Sequence, residues 1–255
     1  AIQEDWETGE SPNRLTAWNF SGRLKKRLQQ KESGEVPVKA VDILITGCEV
    51  SLWLGEQFAA DLSLAFKKLE VKTVSSNKIL GLLGQEFAMP QLGHQFSEGL
   101  WDLHGAIVLI VSHSGGTFSP LAVSNLLQSF TKQIFVVTSE WDTQIGKQLR
   151  HLDAGFCRSR VFSTEIGMHP AEPCSISVAA THQLLTQIFE HVAATLTSEG
   201  SLRRASGSVV GLGDLAELEK CNQMNIEALE EIVGTDRNGV AISTAETEAE
   251  LRKKG

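Results

Sequence analysis

The sequence lacks the features that mark membrane-spanning and nucleic-acid-binding proteins. No apolar run reaches the roughly 18 residues that a membrane-spanning helix needs. Its 31 acidic residues outnumber its 23 lysines and arginines, whereas a protein that binds nucleic-acid phosphates needs clustered positive charge. We therefore expect no membrane span, and we do not expect nucleic acid as a partner.

Cysteine is also scarce, with four residues in a chain of 255 and no C-x-x-C pair among them. That number and spacing exclude a disulfide scaffold and the common zinc and redox motifs. The seven histidines show no metal-ligand spacing either, so we predict no metal and no cofactor. We interpret the cysteines as reduced thiols of a cytoplasmic protein. The polar, acidic first ten residues do not form a signal peptide, and whether the chain is a fragment of a longer protein stays open.

Short apolar segments alternate with helical patterns through the middle of the chain. We predict strands at 41–46, 71–74, 106–111, 134–138 and 161–163. Two of them, 106–111 and 134–138, are apolar at every position or nearly so, which is typical of central parallel strands buried on both faces. The alternation predicts an α/β fold, with a five-stranded parallel sheet and helices on both faces in three αβα layers, plus helical extensions.

The chain divides into three parts by composition. Residues 1–36 are interpreted as an N-terminal extension or linker with a short helix, and residues 37–197 as the α/β domain. Residues 198–255 are interpreted as a C-terminal helical connector. Within it, Gly211-Leu-Gly213 imitates a dinucleotide-binding fingerprint, but no full strand precedes it. A loop that opens the connector helix is the better interpretation.

The segment that follows the strand at 106–111 carries the most specific functional signal. Small and hydroxyl residues form a loop between this strand and a predicted helix, and ligands of open α/β sheets bind at the carboxyl ends of strands. A helix N-terminus and glycine backbone suit a phosphate. The alternative is a polar turn that only caps the helix. The loop residues are Ser112, His113, Ser114, Gly115, Gly116 and Thr117.

These residues resemble the phosphosugar-binding loop of sugar isomerase (SIS) domains, which carry S-x-S-G-x-T between a strand and a helix. Residues 178–187 resemble the later helix motif of the same family, and the strand that ends at Gly47 resembles its first strand and glycine-rich turn. The resemblance covers about residues 38–197. It is closest to the isomerase half of the glucosamine-fructose-6-phosphate aminotransferases, which has two such domains in tandem.

The resemblance implies a phosphosugar ligand and a set of contacts. It places Ser112, His113, Ser114 and Thr117 at the phosphate, together with the backbone of Gly47, Gly115 and Gly116, and it places Val178 and Ala180 at the sugar. The chain departs from the family pattern at three positions. Ala180 replaces a serine, Ser175 stands where the helix motif opens with glutamate, and Glu49 stands where the family has a small or hydroxyl residue.

Two functional hypotheses follow. The first is an SIS-type domain that binds a carbohydrate derivative, as one half of a tandem aldose–ketose isomerase acting on fructose-6-phosphate or glucosamine-6-phosphate. The alternative is a degenerate SIS-like scaffold or dimerisation domain without catalysis. Whether the chain is an enzyme is left undecided; the acid/base candidates are Glu49, Glu165, Glu172 and His182. A homodimer or a second SIS domain is the expected protein partner.

Overall fold

The structure is a computed structural model that describes residues 11–83, 103–150, 160–166 and 175–233. The strands are β1 (Ile43–Gly47), β2 (Val71–Ser75), β3 (Ile107–Val111), β4 (Ile134–Thr138) and β5 (Val161–Ser163). The helices are α1 (Pro12–Glu32), α2 (Glu49–Ala65), α3 (Ser76–Leu83), α4 (Phe118–Leu127), α5 (Gln144–Leu149), α6 (Ser175–Thr197), α7 (Gly200–Ser206) and α8 (Leu212–Val233).

The five strands form one all-parallel sheet in the order β2-β1-β3-β4-β5. The predicted α/β fold with a five-stranded parallel sheet is confirmed. The strand order reverses between β1 and β3, since β1 leads outward to β2 while β3 leads the other way to β4. At the carboxyl end of this central pair, Gly47 lies opposite Val111.

Helices cover both faces of the sheet, as an all-parallel sheet requires. On one face α3, α4 and α5 pack in a row, and on the other α1, α2, α6 and α7 pack together. Every residue of β1, β3, β4 and β5 is buried. The apolar composition of these strands therefore follows from burial on two sides.

The first helix is a structural part of the sheet's edge. Ser11 caps α1 by accepting from the backbone N–H of Arg14, and Pro12 occupies the first turn. Further along, the Asn13 side chain pairs twice with the backbone of Ser163, donating to its carbonyl and accepting from its N–H at 2.8 Å each. This amide satisfies backbone groups at the outer edge of β5, where the described part of the chain places no further strand.

Aromatic packing fixes the same helix on the sheet. Phe20 is fully buried and meets Phe135 edge-on, with ring centroids 5.2 Å apart, and it lies 6.3 Å from the ring of Phe162. Residues 1–211 form one compact unit, and α1 lies within it. The domain boundaries expected at residues 36 and 197 remain predictions.

Residues 212–255 form a second compact unit, of which α8 is the described part. Among the described residues, no helix combines the length and the apolar character needed to cross a membrane.

Three local differences from the predicted elements have clear causes. Helix α3 lies at the start of the stretch 77–105, where glycines obscured the periodicity. Helix α7 lies in a Ser/Gly-rich stretch that predicted no helix, and it ends at Gly207, which adopts φ of 63°. The apolar spacing after β1 predicts a helix that begins at Ser51 with Ser51 as its cap, whereas α2 begins at Glu49 with Cys48 as its N-cap, so Ser51 lies in the first turn. A helix is also predicted in the charged segment 246–254, which lies outside the described residues.

A buried charge cluster joins α1 to the start of β1. Asp42 is fully buried and accepts from Lys31 Nζ at 2.6 Å, with Arg27 Nε at 3.5 Å. Arg27 also donates to the carbonyls of Val41 and His104. Burial raises the pKa of the Asp42 carboxyl, against the hydrogen bond and charge of Lys31. Each charge in this cluster depends on the others because none can be hydrated in place.

We expect Asp42→Asn to lower the free energy of unfolding by about 3 kcal/mol, because it leaves Arg27 buried without its counter-charge. The matched control is Lys25→Gln, which breaks the exposed pair between Lys25 and Glu199 and costs less than about 1 kcal/mol. Urea unfolding of both variants measures the difference. Equal losses would show that the Asp42 cluster contributes no more than a surface pair.

Candidate functional site

A pocket of about 440 Å³ lies at the carboxyl ends of β1 and β3, where the strand order reverses. Its volume falls within the range of roughly 300–1,000 Å³ typical of small-molecule sites. Ligands of open parallel sheets bind at this topological position, because the loops of neighbouring strands diverge there. The pocket is lined by residues 48–51, 54, 77, 111–114, 117–120, 177, 178 and 181.

Four of the described helices begin at this pocket. The lining includes the first residues of α2, α3 and α4 and the first turns of α6. The first N–H groups of a helix have no partner within the helix, and the macrodipole places a partial positive charge there. An anion in the pocket would therefore meet favourable electrostatics without a lysine or arginine; the described lining residues include neither.

The loop between β3 and α4 is anchored from below by the end of β4 and the start of α5. The carbonyl of His113 accepts from the backbone N–H of Ser139 at 2.8 Å and from Thr138 Oγ1 at 3.1 Å. The carbonyl of Gly115 accepts from the N–H of Ile145 at 3.0 Å. These bonds use the carbonyl side of the loop, so its conformation is set before any ligand arrives.

Gly115 is required by this anchoring. Its φ is 58°, and a Cβ built there would lie 2.4 Å from Thr143 Cβ and 2.7 Å from Thr138 Oγ1. Thr143 is itself held in place, because its hydroxyl caps α5 by accepting from the N–H of Gly146. No side chain fits between the loop and this threonine pair.

Two hydroxyls of the loop face the pocket from the exposed side. Ser114 Oγ and Thr117 Oγ1 lie 3.0 Å apart, and both residues are exposed. Thr117 is the N-cap of α4, yet its side chain makes no capping hydrogen bond. The two hydroxyls hydrogen-bond to each other at a helix N-terminus. Each can rotate its proton away from this bond to donate to an anion placed there.

The rest of the lining carries less polar groups. Cys48, a free cysteine, has its Sγ 2.8 Å from Ser119 Oγ. Leu54, Phe118 and Val178 add apolar surface. A ligand that fits this pocket carries an anionic end toward α4 and a less charged remainder.

The structure brings together most of the predicted binding residues. Ser112, His113, Ser114, Thr117 and Val178 all line the pocket.

The other four predicted binding residues lie beside the lining. Gly47 serves close packing, since a Cβ there would lie 2.8 Å from the carbonyl oxygen of Val111. Gly115 faces the threonine pair below the loop. Gly116 is exposed, and a Cβ there would make only an ordinary contact with Gln144 Oε1 at 3.6 Å. Ala180 is half-buried on α6, away from the lining.

Of the four acid/base candidates, Glu49 lines the pocket. Glu165 lies at the end of β5, where it adopts φ of 56° and accepts from Trp141 Nε1 at 2.7 Å. His182 is exposed on α6 and is not part of the lining. Glu172 lies outside the described residues. Among the described residues, no group of three histidine, cysteine or carboxylate side chains could hold a metal.

Sequence reasoning missed several lining residues. On α6 it assigned Val178 and Ala180 by motif alignment, whereas the helix presents Ser177, Val178 and Thr181 to the pocket. Thr181 lies three residues after Val178 and therefore on the same face of the helix, whereas Ala180 lies two residues after it and does not. Helical spacing from Val178 was therefore the available signal for Thr181. Asn77 had no such signal, because α3 itself was not predicted.

Comparisons with known proteins find resemblance among solved structures. No protein-family model and no curated protein matches the sequence. The C-terminal domain of glucosamine-fructose-6-phosphate aminotransferase from Francisella tularensis matches at 13% identity and a TM-score of 0.46, over 86% of this chain and 55% of that chain. Tagatose-6-phosphate ketose/aldose isomerase from Escherichia coli matches at 13% identity and a TM-score of 0.39, over 74% and 46%.

A third structure, of a Methanococcus jannaschii protein inferred from it to be a 3-hexulose-6-phosphate isomerase, matches at 16% identity and a TM-score of 0.40, over 79% of this chain and 96% of that one. The chain thus spans about half the length of the Francisella and Escherichia chains. The assignment of the fold therefore rests on the strand order of the sheet. The choice of a candidate ligand rests on the residues that line the pocket.

We expect Gly115→Ala to lower the free energy of unfolding by about 3 kcal/mol, from a left-handed backbone and overpacking against Thr143. Gly116→Ala is the matched control, because its added Cβ would meet nothing closer than Gln144 Oε1 at 3.6 Å; it should change stability by less than about 0.5 kcal/mol. Thermal and urea unfolding measure both. If the two variants lose comparable free energy of unfolding, Gly115 is not required for the anchored conformation of the loop.

Proposed function

We propose that the pocket between β1 and β3 binds a phosphosugar, with the phosphate at the N-terminus of α4 and the sugar toward α2 and α6. The observation that carries the proposal is the paired hydroxyls of Ser114 and Thr117, 3.0 Å apart at the first residues of a helix. Together with the N–H groups of the first helical turn, they form a cradle of hydrogen-bond donors that suits phosphate oxygens.

The size and composition of the pocket support a ligand larger than phosphate. The volume of about 440 Å³ leaves space beyond the cradle, and Ser51, Asn77 and Thr181 line that space with groups that hydrogen-bond to hydroxyls. The mixed polar and apolar walls match a sugar, which has polar edges and apolar C–H faces.

The proposal can be extended from binding the phosphosugar to isomerising it. Moving a proton between adjacent carbons requires a positioned base, and Glu49 is the acid/base candidate that lines the pocket. Because the chain spans about half of the tandem proteins it resembles, we assign this chain the binding step. Catalysis, and pairing with a second copy or a second SIS domain in the cytoplasm, belong to the longer assembly that we expect.

The test is the double variant Ser114→Ala/Thr117→Ala. We expect it to bind fructose-6-phosphate or glucosamine-6-phosphate at least about 100-fold more weakly than the parent, since each lost charge-assisted hydrogen bond costs roughly 1.5 kcal/mol or more. Thermal-shift and calorimetric titrations measure affinity, with glucose-6-phosphate, arabinose-5-phosphate and inorganic phosphate alongside.

Ser129→Ala, at the opposite end of α4, is the matched control and should bind as the parent does. Its hydroxyl bonds only to the carbonyl of Leu126 near the helix end. If the double variant is folded and binds like the parent, the loop is not the phosphate site. If the folded parent binds none of these ligands, the scaffold or dimerisation alternative replaces the proposal.

A further inference from the structure

Glu49 lines the same pocket as the phosphate cradle, from the segment that leaves the neighbouring strand. It stands two residues beyond Gly47, whose register partner Val111 leads directly into the loop that holds Ser114. Adjacent strands lie about 4.8 Å apart, so the segments that carry Glu49 and the cradle leave the sheet side by side. Both line the same pocket.

The backbone holds Glu49 in an unusual conformation. Its φ is 50°, in the left-handed region that residues with a side chain seldom adopt. Such conformations persist where the surroundings impose them, and they concentrate at ligand sites. Here the neighbours are Cys48, the N-cap of α2, and Gly47, packed closely on Val111. The carboxylate thus leaves a constrained turn at the mouth of the pocket.

No cationic side chain of the described pocket lining pairs with the carboxylate of Glu49. The described lining residues include no lysine or arginine, and their titratable side chains are Cys48, Glu49 and His113. The carboxylate stands at the N-terminus of α2, which favours a negative group. The N-terminus of α2 is thereby occupied by the carboxylate of Glu49. The N-terminus of α4 remains available for the anionic group of a ligand.

Two negative charges that line one pocket repel each other. Because Glu49 is exposed, this repulsion is strongest at low ionic strength, where salt screens it least. In the proposed orientation the phosphate lies at the start of α4 and the rest of the ligand extends toward α2, which begins at Glu49. A second anionic group at that end of the ligand would meet the Glu49 carboxylate. Hydroxyl groups, in contrast, can donate hydrogen bonds to it.

We propose that Glu49 is a specificity-determining residue that restricts the pocket to ligands with one phosphate and an uncharged polyhydroxyl end. It rejects sugar bisphosphates and phosphorylated sugar acids by charge repulsion. This inference rests on the proposed function, since it takes the phosphate to lie at Ser114 and Thr117.

The test compares two open-chain compounds that differ mainly in charge at one end, glucitol-6-phosphate and 6-phosphogluconate. We expect the parent to bind glucitol-6-phosphate at least tenfold more tightly in calorimetric titrations at low ionic strength, where screening is weak. Glu49→Gln should reduce the preference to less than threefold, chiefly by tighter binding of the acid. Glu49→Lys should reverse it.

The matched control is Glu56→Gln, the same substitution at an exposed position of α2 outside the lining; it should keep the parent's preference. Thermal midpoints verify that the variants are folded. If the parent binds both compounds equally, or if Glu49→Gln and Glu49→Lys keep its preference, the inference is overturned and the proposed function stands. If the folded parent binds neither compound, the inference is overturned, and the proposed function is overturned with it only when fructose-6-phosphate and glucosamine-6-phosphate also fail to bind.

Discussion

The candidate site depends on one topological constraint, the reversal of strand order between β1 and β3. The two strands are hydrogen-bonded neighbours, yet β1 connects outward to β2 and β3 connects in the other direction to β4. Their following helices therefore lie on opposite faces of the sheet, and a crevice opens between the two helix starts. The close approach of Gly47 to Val111 keeps the floor of that crevice narrow.

The loop between β3 and α4 directs its carbonyls and its hydroxyls to opposite sides. Carbonyls of His113 and Gly115 point downward into bonds from β4 and α5, while the hydroxyls of Ser114 and Thr117 stay on the exposed side. A donor cradle formed in this way is preorganised, so binding a ligand does not cost the conformational entropy of ordering the loop. Because the cradle needs no cation, an overall acidic chain can still bind an anion.

Much of the fold could be predicted from sequence because it rests on local patterns. Fully apolar strands such as Ile107–Val111 indicate burial on two faces, and strand–helix alternation leaves few topologies. Helices α3 and α7 could not be predicted, since glycine and serine obscure the periodicity there. The role of α1 was hidden for another reason: the contacts of Asn13 and Phe20 are with residues more than 100 positions away.

The sequence by itself determined the parallel sheet and the position of the loop between β3 and α4, because apolar runs and an S-x-S-G-x-T segment are local signals. Only the tertiary structure decided which side chains share the pocket. It placed Glu49 and Thr181 in the lining and left Ala180 and His182 outside it. The physical reason is that a pocket forms where separate strand ends and helix starts meet, and no spacing along one segment encodes that meeting.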